Sequence, residues 1–314
     1  MTSTGSARHG PAEPTTTEHG SDPDAAAGPA VVALGGGHGL ATSLRAARVY
    51  AGGLTGIVSV GDDGGSSGRL RAEFGVAAPG DVRRCISALA TSDSVFARSL
   101  EYRFTEGALA GHPIGNLILT GLTMASGDFQ QAIEELCRLV EVRGALFPAT
   151  TVPVRLLADA DEGTITGQVT IERAINIRNL RFDPVDPPVD EAATKAVRQA
   201  DQVVIGPGSL FTSVLATAVV PGIKAALRES AGQRVYVANV ATERAMARGF
   251  GLAEHVAALV DHGVTIDAVV ANDTVGEQAV GTVPVHRADV AAADGWGHDA
   301  AKLGEALATV YARR

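Results

Sequence analysis

The chain has 314 residues, of which 46% are hydrophobic and 19% are charged, and its formal net charge is -9 at pH 7. This composition is typical of a globular protein with a sizeable core, and it excludes a disordered or fibrous chain. The negative charge and the lack of a basic run argue against a general nucleic-acid binder. No apolar run approaches the ~20 residues needed to cross a bilayer, so we expect a cytoplasmic protein without membrane insertion.

Composition also divides the chain. Residues 1–29 are rich in Thr, Ser, Gly and Pro, with almost no large apolar side chains, which predicts a disordered tail. Residues 30–314 are expected to form a single Rossmann-like domain, with a helical insert at about 91–140 and a β section at about 145–182. The predicted strands of the β section are Ala145–Ala158, Thr164–Ile171 and Ile177–Arg181.

A glycine loop follows the first predicted strand, Ala30–Leu34, and precedes a helix. The loop consists of Gly35, Gly36, Gly37, His38 and Gly39. This order is typical of a Rossmann opening, in which backbone N–H groups at the helix start face a phosphate. The spacing does not complete GxGxxG, so it predicts a phosphate approach rather than a dinucleotide fingerprint. His38 is equally consistent with contacting a ligand and with filling the loop.

The most polar stretch follows the second predicted strand, Leu54–Val60. It contains Asp62, Asp63, Gly64, Gly65, Ser66, Ser67 and Arg69. Ligands of open α/β sheets lie at the carboxyl ends of strands, where glycines let N–H groups approach an anion and arginine binds phosphate bidentately. Asp62 and Asp63 are the candidates for holding Mg²⁺ or a sugar hydroxyl, and for any catalytic role. The alternative is a surface turn with solvated acids.

Two further stretches place polar side chains at predicted helix starts. Asp81 is expected to cap its own helix, whereas Arg83 in the first turn opposes the helix dipole and therefore suggests an anionic partner. His112 and Asn116 stand among glycines just ahead of the predicted helix Leu117–Met124. There they can face a ligand or cap the helix.

The second half of the chain resumes the alternation of strands and helices. The predicted strand Gln202–Ile205 runs into a second glycine loop, whose residues are Gly206, Pro207, Gly208 and Ser209. This junction predicts another phosphate or ribose contact, and a tight turn capped by Ser209 is the alternative. Asn239, near the end of the next predicted strand, is a further candidate. Repeated strand–helix units predict an open, mostly parallel, doubly wound α/β sheet with these junctions at one edge.

Several enzyme classes lack their sequence signatures. The chain has no GxxxxGK[ST] loop, no GxSxG elbow, and no HExxH motif or Cys/His cluster. What remains is a pocket for a nucleotide or sugar phosphate, built from loops and without an obvious nucleophile or general base.

Taken in order, GGGHGL, DDGGSSGRLR, PGDVR, GHPIGNL and GPGSLFTS resemble the gluconeogenesis factor family, the YvcK-like proteins, over about residues 31–313. That family shares a superfamily with the phospholactate transferases of coenzyme F420 synthesis, and the histidine in GGGHGL resembles its actinobacterial branch. The resemblance implies a cytoplasmic Rossmann-like regulator that binds UDP sugars such as UDP-N-acetylglucosamine. It also implies a role in cell shape and cell-wall synthesis during growth on gluconeogenic carbon sources.

The same motifs indicate which residues of this chain correspond to the family's ligand pocket. The implied ligand-binding residues are Gly35, Gly36, Gly37, His38, Gly39, Asp62, Asp63, Gly64, Gly65, Ser66, Ser67, Arg69, Asp81, Arg83, His112, Asn116, Gly206, Pro207, Gly208 and Ser209. We also expect a homo-oligomer and a regulated partner enzyme of amino-sugar or cell-wall synthesis. The competing hypotheses are a Mg²⁺-dependent phospholactate-type transferase and, less well supported, an NAD(P) oxidoreductase, because some relatives hold a nicotinamide dinucleotide.

One stretch departs from the family pattern. Where the family has a Pro-Gly turn and an acid, this chain has Thr242–Phe250, which includes Arg244 and Arg248. The change predicts either a more anionic ligand or a weakened grip on the part of the ligand that this loop would hold.

Overall fold

The structure is a computed structural model that describes residues 28–240, 250–274, 276 and 279–314. All but the last two residues of the predicted tail, and all of the altered loop except Phe250, lie outside the described residues. The strands are β1 Ala30–Gly35, β2 Gly53–Val58, β3 Ala145–Pro148, β4 Arg155–Ala160, β5 Gly163–Thr166, β6 Arg178–Asp183, β7 Gln202–Ile205, β8 Gln233–Val237, β9 Ala268–Asn272, β10 Ala279–Val280 and β11 Val283–Ala288.

The helices alternate with these strands in the large sheet and form the insert between β2 and β3. They are α1 Gly37–Ala47, α2 Gly65–Phe74, α3 Pro79–Leu89, α4 Val95–Ser99, α5 Ile114–Ser126, α6 Phe129–Leu139, α7 Gln168–Arg173, α8 Glu191–Gln199, α9 Ala216–Ala218, α10 Pro221–Glu229, α11 Leu252–Asp261 and α12 Ala300–Ala312. A π-helical segment, Leu210–Leu215, precedes α9.

Eight strands form the main sheet in the order β10-β11-β9-β8-β7-β1-β2-β3. All neighbouring pairs are parallel except β10 with β11. The chain winds outwards from β1 to β3 and then, starting at β7, in the opposite direction. The switch point therefore lies between β1 and β7, which is where open α/β sheets bind ligands. The predicted Rossmann-like fold class is confirmed.

Burial explains why the central strands form. Every residue of β7 and of β9 is buried, as expected for parallel strands covered by helices on both faces. On one face α1 packs against both α3 and α12, and buried hydrophobic side chains of sheet and helices form one continuous cluster. This core fixes the carboxyl edge of β1, β2 and β7, from which the glycine loops emerge.

The predicted β section is divided between two sheets, and one of its predicted strands was wrong. The strand β3 pairs with β2 at the edge of the main sheet, and only β5-β4-β6 form a separate antiparallel sheet. The predicted strand Thr164–Ile171 ends at Thr166, and α7 begins at Gln168. The cause is local: Gly167 has φ +96°, which breaks the strand, and a distant carboxylate, that of Asp63, accepts the first N–H groups of α7.

Within the described ranges, no single helix is long and apolar enough to cross a membrane. One strongly bent pair, Leu210–Ala218 with Pro221–Glu229, passes the same test of length and composition, and most of its residues are buried in the core of this structure.

Candidate functional site

A cavity of about 230 Å³, which we call the arginine pocket, opens beside the loop that follows β2. Three arginines give it its charge, and Asp62 is the one carboxylate in its lining. The lining residues are Asp62, Gly64, Gly65, Ser66, Ser67, Gly80, Arg83, Arg84, Arg103 and Asn116. The sequence predicted seven of these as ligand-binding, and it missed Gly80, Arg84 and Arg103. The excess of positive charge suits an anionic ligand.

The first turns of α2 and α3 line the arginine pocket, through Gly65 and Gly80 respectively. Neither helix has a capping side chain at its start. The helices α1, α5 and α10 also begin without a side-chain cap, whereas α4, α6, α8 and α12 are each capped by a serine or aspartate side chain. Because the first N–H groups of a helix lack intrahelical partners, the starts of α2 and α3 are suited to an anion in the pocket.

A chain of hydrogen bonds holds the pocket wall in place. His112 Nδ1 lies 2.8 Å from Ser66 Oγ, which also accepts a hydrogen bond of 3.0 Å from Asn116 Nδ2. Arg83 Nε donates to Asn116 Oδ1 over 3.1 Å, and Arg83 forms an ion pair with Glu101. The chain links α2, α5 and α3 through side chains that are mostly buried. The arrangement therefore presents a preorganised wall to a ligand.

Arg83 has the anionic partner that its position suggested. Its side chain is only 3% exposed, whereas the side chain of Glu101, its partner, is 51% exposed. Glu101 therefore neutralises a buried cation that also lines the arginine pocket. An incoming anion would have to share the Arg83 guanidinium with this carboxylate.

The two histidines predicted near the ligand are in different environments. His112 is buried, and this burial, together with the nearby charges of Arg69 and Arg103, lowers its pKa. His38 is exposed at the start of α1, and its pKa is lowered by partial desolvation and by the charges of Arg84 and Arg83. Both lowered pKa values favour the neutral form near pH 7.

Asp81 does not cap its own helix, which corrects the prediction. The helix α3 begins at Pro79, so Asp81 lies in the first turn. Its carboxylate accepts a hydrogen bond from the backbone N–H of Gly37, at the start of α1, and pairs with Arg84 over 2.6 Å. Burial raises the pKa of Asp81 to about 6, with Asp62 adding to the rise and Arg84 opposing it. Asp81 thus joins the glycine loop after β1 to the arginine pocket.

Asp63 is turned away from the arginine pocket. Its two oxygens accept hydrogen bonds from the backbone N–H groups of Gln168, at 2.9 Å, and Val169, at 3.0 Å. This contact caps α7 from a position 105 residues earlier in the chain, so Asp62 and Asp63 do not present a carboxylate pair to one ligand. Arg69 likewise does not line the pocket, because its guanidinium donates to the Ala110 carbonyl over 2.8 Å.

The two glycine loops meet at the switch point. A Cβ on Gly39 would lie 2.1 Å from the Pro207 carbonyl oxygen, so only glycine allows this approach. A Cβ on Gly36 would lie 2.6 Å from Asp81 Oδ2 and 3.3 Å from Ser213 Oγ. The loops after β1 and β7 and the carboxylate of Asp81 are therefore packed together. Asp81 also pairs with Arg84, which lines the arginine pocket.

The loop after β7 is braced by Asn239. Its side chain accepts a hydrogen bond from the Gly208 N–H and donates one to the Gly208 carbonyl, both at 3.0 Å. Ser209 does not act as a side-chain cap, and its hydroxyl instead accepts a hydrogen bond of 2.8 Å from Thr212. Asn239 thus supports the loop, and the ligand contact expected for it stays a prediction.

The three pocket residues that the sequence analysis missed differ in whether a sequence motif could have indicated them. Gly80 and Arg84 belong to the PGDVRR stretch, so their neighbours Asp81 and Arg83 were a sequence signal for them. Arg103 had no such signal, because an isolated bridge pairs it with Pro113 across the insert and only the fold brings it to the pocket.

The fold and the site together define a class: a doubly wound α/β protein with a positively charged pocket beside the loop that follows β2. The sequence model of the family described as 2-phospho-L-lactate transferase CofD matches residues 31–313. The chain therefore belongs to the CofD family, and the predicted relationship is confirmed.

Individual relatives agree with this assignment. The gluconeogenesis factor of Halalkalibacterium halodurans is 39% identical over 253 residues, which cover 79% of each chain. A Mycobacterium tuberculosis protein, provisionally named a gluconeogenesis factor, is 43% identical over 310 residues and 90% of each chain. A similar Nostoc protein is 43% identical over 235 residues, but the chain spans only 52% of its length. A crystal structure of a UPF0052 family member from Bacillus halodurans has a TM-score of 0.83 and 33% identity, covering 88% of this chain and 98% of its own.

Proposed function

We propose that the protein binds a nucleotide sugar of the UDP-N-acetylglucosamine type and acts as a cytoplasmic regulator. One observation carries the proposal: three arginines and the uncapped starts of α2 and α3 surround one small cavity beside the loop that follows β2. A diphosphate offers both the charge and the oxygen acceptors that this arrangement lacks.

The size of the arginine pocket indicates which part of the ligand it would take. Its volume of about 230 Å³ is below the roughly 300–1,000 Å³ typical of whole small-molecule sites. We therefore assign the diphosphate to the arginine pocket. The nucleoside and sugar would extend from it towards the loops at 35–39 and 206–209, which Asp81 connects to the pocket.

A regulatory role agrees with the chemistry of the lining. Ser66 lines the pocket next to His112, but its oxygen already accepts a hydrogen bond from Asn116. Among the residues that the structure describes, no carboxylate is hydrogen-bonded to the His112 imidazole to orient it. The gluconeogenesis factors to which the chain is similar support a link to carbon metabolism. From that similarity we propose that ligand binding is coupled to an enzyme of amino-sugar or cell-wall synthesis, and through it to cell shape.

A transferase is the second candidate, and the family description favours it. Asp62 and Asp81 both lie beside Gly80, and the charge of Asp62 contributes to the raised pKa of Asp81. Mg²⁺ is commonly held by one or two carboxylates together with substrate phosphates. If Mg²⁺ binds, Asp62 and Asp81 would hold it, and its charge would stabilise a transferred phospho group. A nicotinamide dinucleotide would use the same diphosphate contacts and remains the third candidate.

Calorimetric titration with UDP-N-acetylglucosamine, with Mg²⁺ and with a chelator, separates these functions when the ligand is then analysed by mass spectrometry. The proposal predicts saturable binding without Mg²⁺ and an intact ligand. Cleavage or transfer that requires Mg²⁺ would establish the transferase instead. Binding of NAD(P) but not of the UDP sugar would contradict both of the first two candidates.

A further inference from the structure

The hydrogen-bond chain in the wall of the arginine pocket has a fixed direction over most of its length. A guanidinium can only donate, so the Asn116 oxygen that lies 3.1 Å from Arg83 Nε must accept. The other end of the same amide is then its NH₂ group, which donates to Ser66 Oγ over 3.0 Å. The hydroxyl hydrogen of Ser66 therefore does not point at Asn116.

The last member of the chain, His112, does not have a fixed direction. A neutral imidazole donates through one ring nitrogen and accepts through the other. His112 Nδ1 lies 2.8 Å from Ser66 Oγ, a distance that suits either role. Among the residues that the structure describes, no other group is hydrogen-bonded to this imidazole, so these contacts do not determine its tautomer.

The tautomer of His112 decides where the Ser66 hydroxyl donates. If Nδ1 carries no proton, the Ser66 O–H donates to it, and Ser66 can offer the cavity only a lone pair, which repels an anion. If Nδ1 carries a proton, it donates to Ser66 Oγ, and the O–H is available to the cavity that Ser66 lines. Ser66 then accepts from both Asn116 and His112 and donates to the ligand, which uses its full hydrogen-bonding capacity.

We propose that His112 is a positioning residue that directs the Ser66 hydroxyl at a bound phosphate group. In the free protein Nδ1 accepts from Ser66. When a diphosphate binds, His112 loses the proton on Nε2 to water and takes one from water at Nδ1, and Ser66 donates to a phosphate oxygen. The inference rests on the proposed placement of a diphosphate in the arginine pocket.

The charges around His112 favour a change of tautomer over formation of an imidazolium. Arg69 and Arg103 each donate to a backbone carbonyl of residues 110–111, directly before His112, over 2.8 Å and 2.5 Å. Burial, followed by the charges of these two arginines, lowers the pKa of His112, and Glu73 opposes them. The ring therefore stays neutral near pH 7 while its proton changes place.

NMR of the full-length chain labelled with ¹⁵N-histidine measures the protonation of Nδ1 directly. The spectrum of His112→Asn assigns the His112 signals among those of the eight histidines. At pH 8 we expect an unprotonated Nδ1 in the free protein and a protonated Nδ1 at saturation with UDP-N-acetylglucosamine or with pyrophosphate. A bound state in which Nδ1 stays unprotonated would overturn the proposal, and so would a free protein in which it is already protonated.

A double-mutant cycle tests whether His112 acts through Ser66. Ser66→Ala removes the charge-assisted hydrogen bond and should raise the Kd for pyrophosphate by roughly 10- to 150-fold. His112→Ala should raise the Kd in the wild-type background and leave it unchanged in the Ser66→Ala background. His112→Asn, whose amide can donate from near the position of Nδ1, should keep most of the affinity. Additive effects of His112→Ala and Ser66→Ala would contradict a role through Ser66.

The two ligands separate this inference from the proposed function. Binding of pyrophosphate with protonation of Nδ1, but no binding of the UDP sugar, would support the role of His112 and refute the proposed ligand. Binding of the UDP sugar without protonation of Nδ1 would do the reverse. A wild type that binds neither would overturn both, and circular dichroism establishes that each variant is folded.

Discussion

Gly80 offers a sharp test of the arginine pocket, because a single methyl group there changes the pocket and little else. A Cβ at this position would lie 2.4 Å from Ser67 Oγ, 3.3 Å from Asp62 Oδ2 and 3.8 Å from Arg84 Nη1. It would therefore stand between three of the polar groups that line the cavity. Gly80→Ala should block at least one of their contacts with a bound ligand.

The expected loss follows from the contacts that the methyl group blocks. One hydrogen bond left unmade at a desolvated site costs about 1–3 kcal/mol, which is a roughly 5- to 150-fold increase in Kd. The fold should tolerate the change, since Gly80 does not have positive φ and lies in the first turn of α3. Alanine is favoured over glycine in helices by up to ~1 kcal/mol, and the Ser67 hydroxyl can rotate away.

Calorimetry with UDP-N-acetylglucosamine measures the effect, and thermal denaturation measures stability. Gly53→Ala is the control, because a Cβ on Gly53 meets nothing within 4 Å at the start of β2. We expect Gly80→Ala to keep the melting temperature of the wild type while its Kd rises. A folded Gly80→Ala variant that binds as tightly as the wild type and the Gly53→Ala control would refute the placement of the ligand.

Three further predictions concern the charges around the pocket. Glu101→Gln removes the carboxylate that competes for Arg83, so calorimetry should show tighter binding of the UDP sugar; weaker binding would mean that Glu101 supports the site. Asp63→Ala removes the cap of α7 and should lower the free energy of unfolding by about 0.5–2 kcal/mol in urea, with ligand affinity retained; a loss of affinity without a loss of stability would place Asp63 in the site. Because the pKa of Asp81 is raised to about 6 in the folded state, its contribution to stability is present at acid pH and is lost as the pH rises through about 6, by at most about 1.4 kcal/mol per pH unit. Asp81→Asn should flatten this part of the stability profile relative to wild type, and an identical slope in the two proteins would show that Asp81 has an ordinary pKa.

Local sequence patterns predicted the strands of the sheet and the loops after them, because strands and loops form according to residues that are neighbours in the sequence. The buried runs of β1 and β7, followed at once by glycines, identify strand–loop junctions without any tertiary information. The reason for a glycine at position 39 became clear only from the fold, because a side chain there would collide with Pro207. The parallel arrangement then follows from the alternation of strands and helices.

The errors arose where a side chain acts on a distant segment. The roles of Asp81 and Asp63 were both predicted from their immediate neighbours in the sequence. In the structure, Asp81 contacts the start of α1 and Asp63 contacts the start of α7. Arg103 reaches the pocket only because the insert folds back on α5. Such partners depend on loop geometry and long-range packing, which hydrophobic periodicity does not encode.

The central claim is that the arginine pocket holds the diphosphate of a nucleotide sugar, and titration of the wild type and Arg84→Gln with UDP-N-acetylglucosamine tests it most directly. Arg84 lines the pocket and is 25% exposed, so its replacement removes charge without leaving a buried cavity. Loss of one charge-assisted contact, worth about 1.5–3 kcal/mol, predicts a roughly 10- to 150-fold increase in Kd. Equal affinities, or no binding by the wild type, would contradict the account.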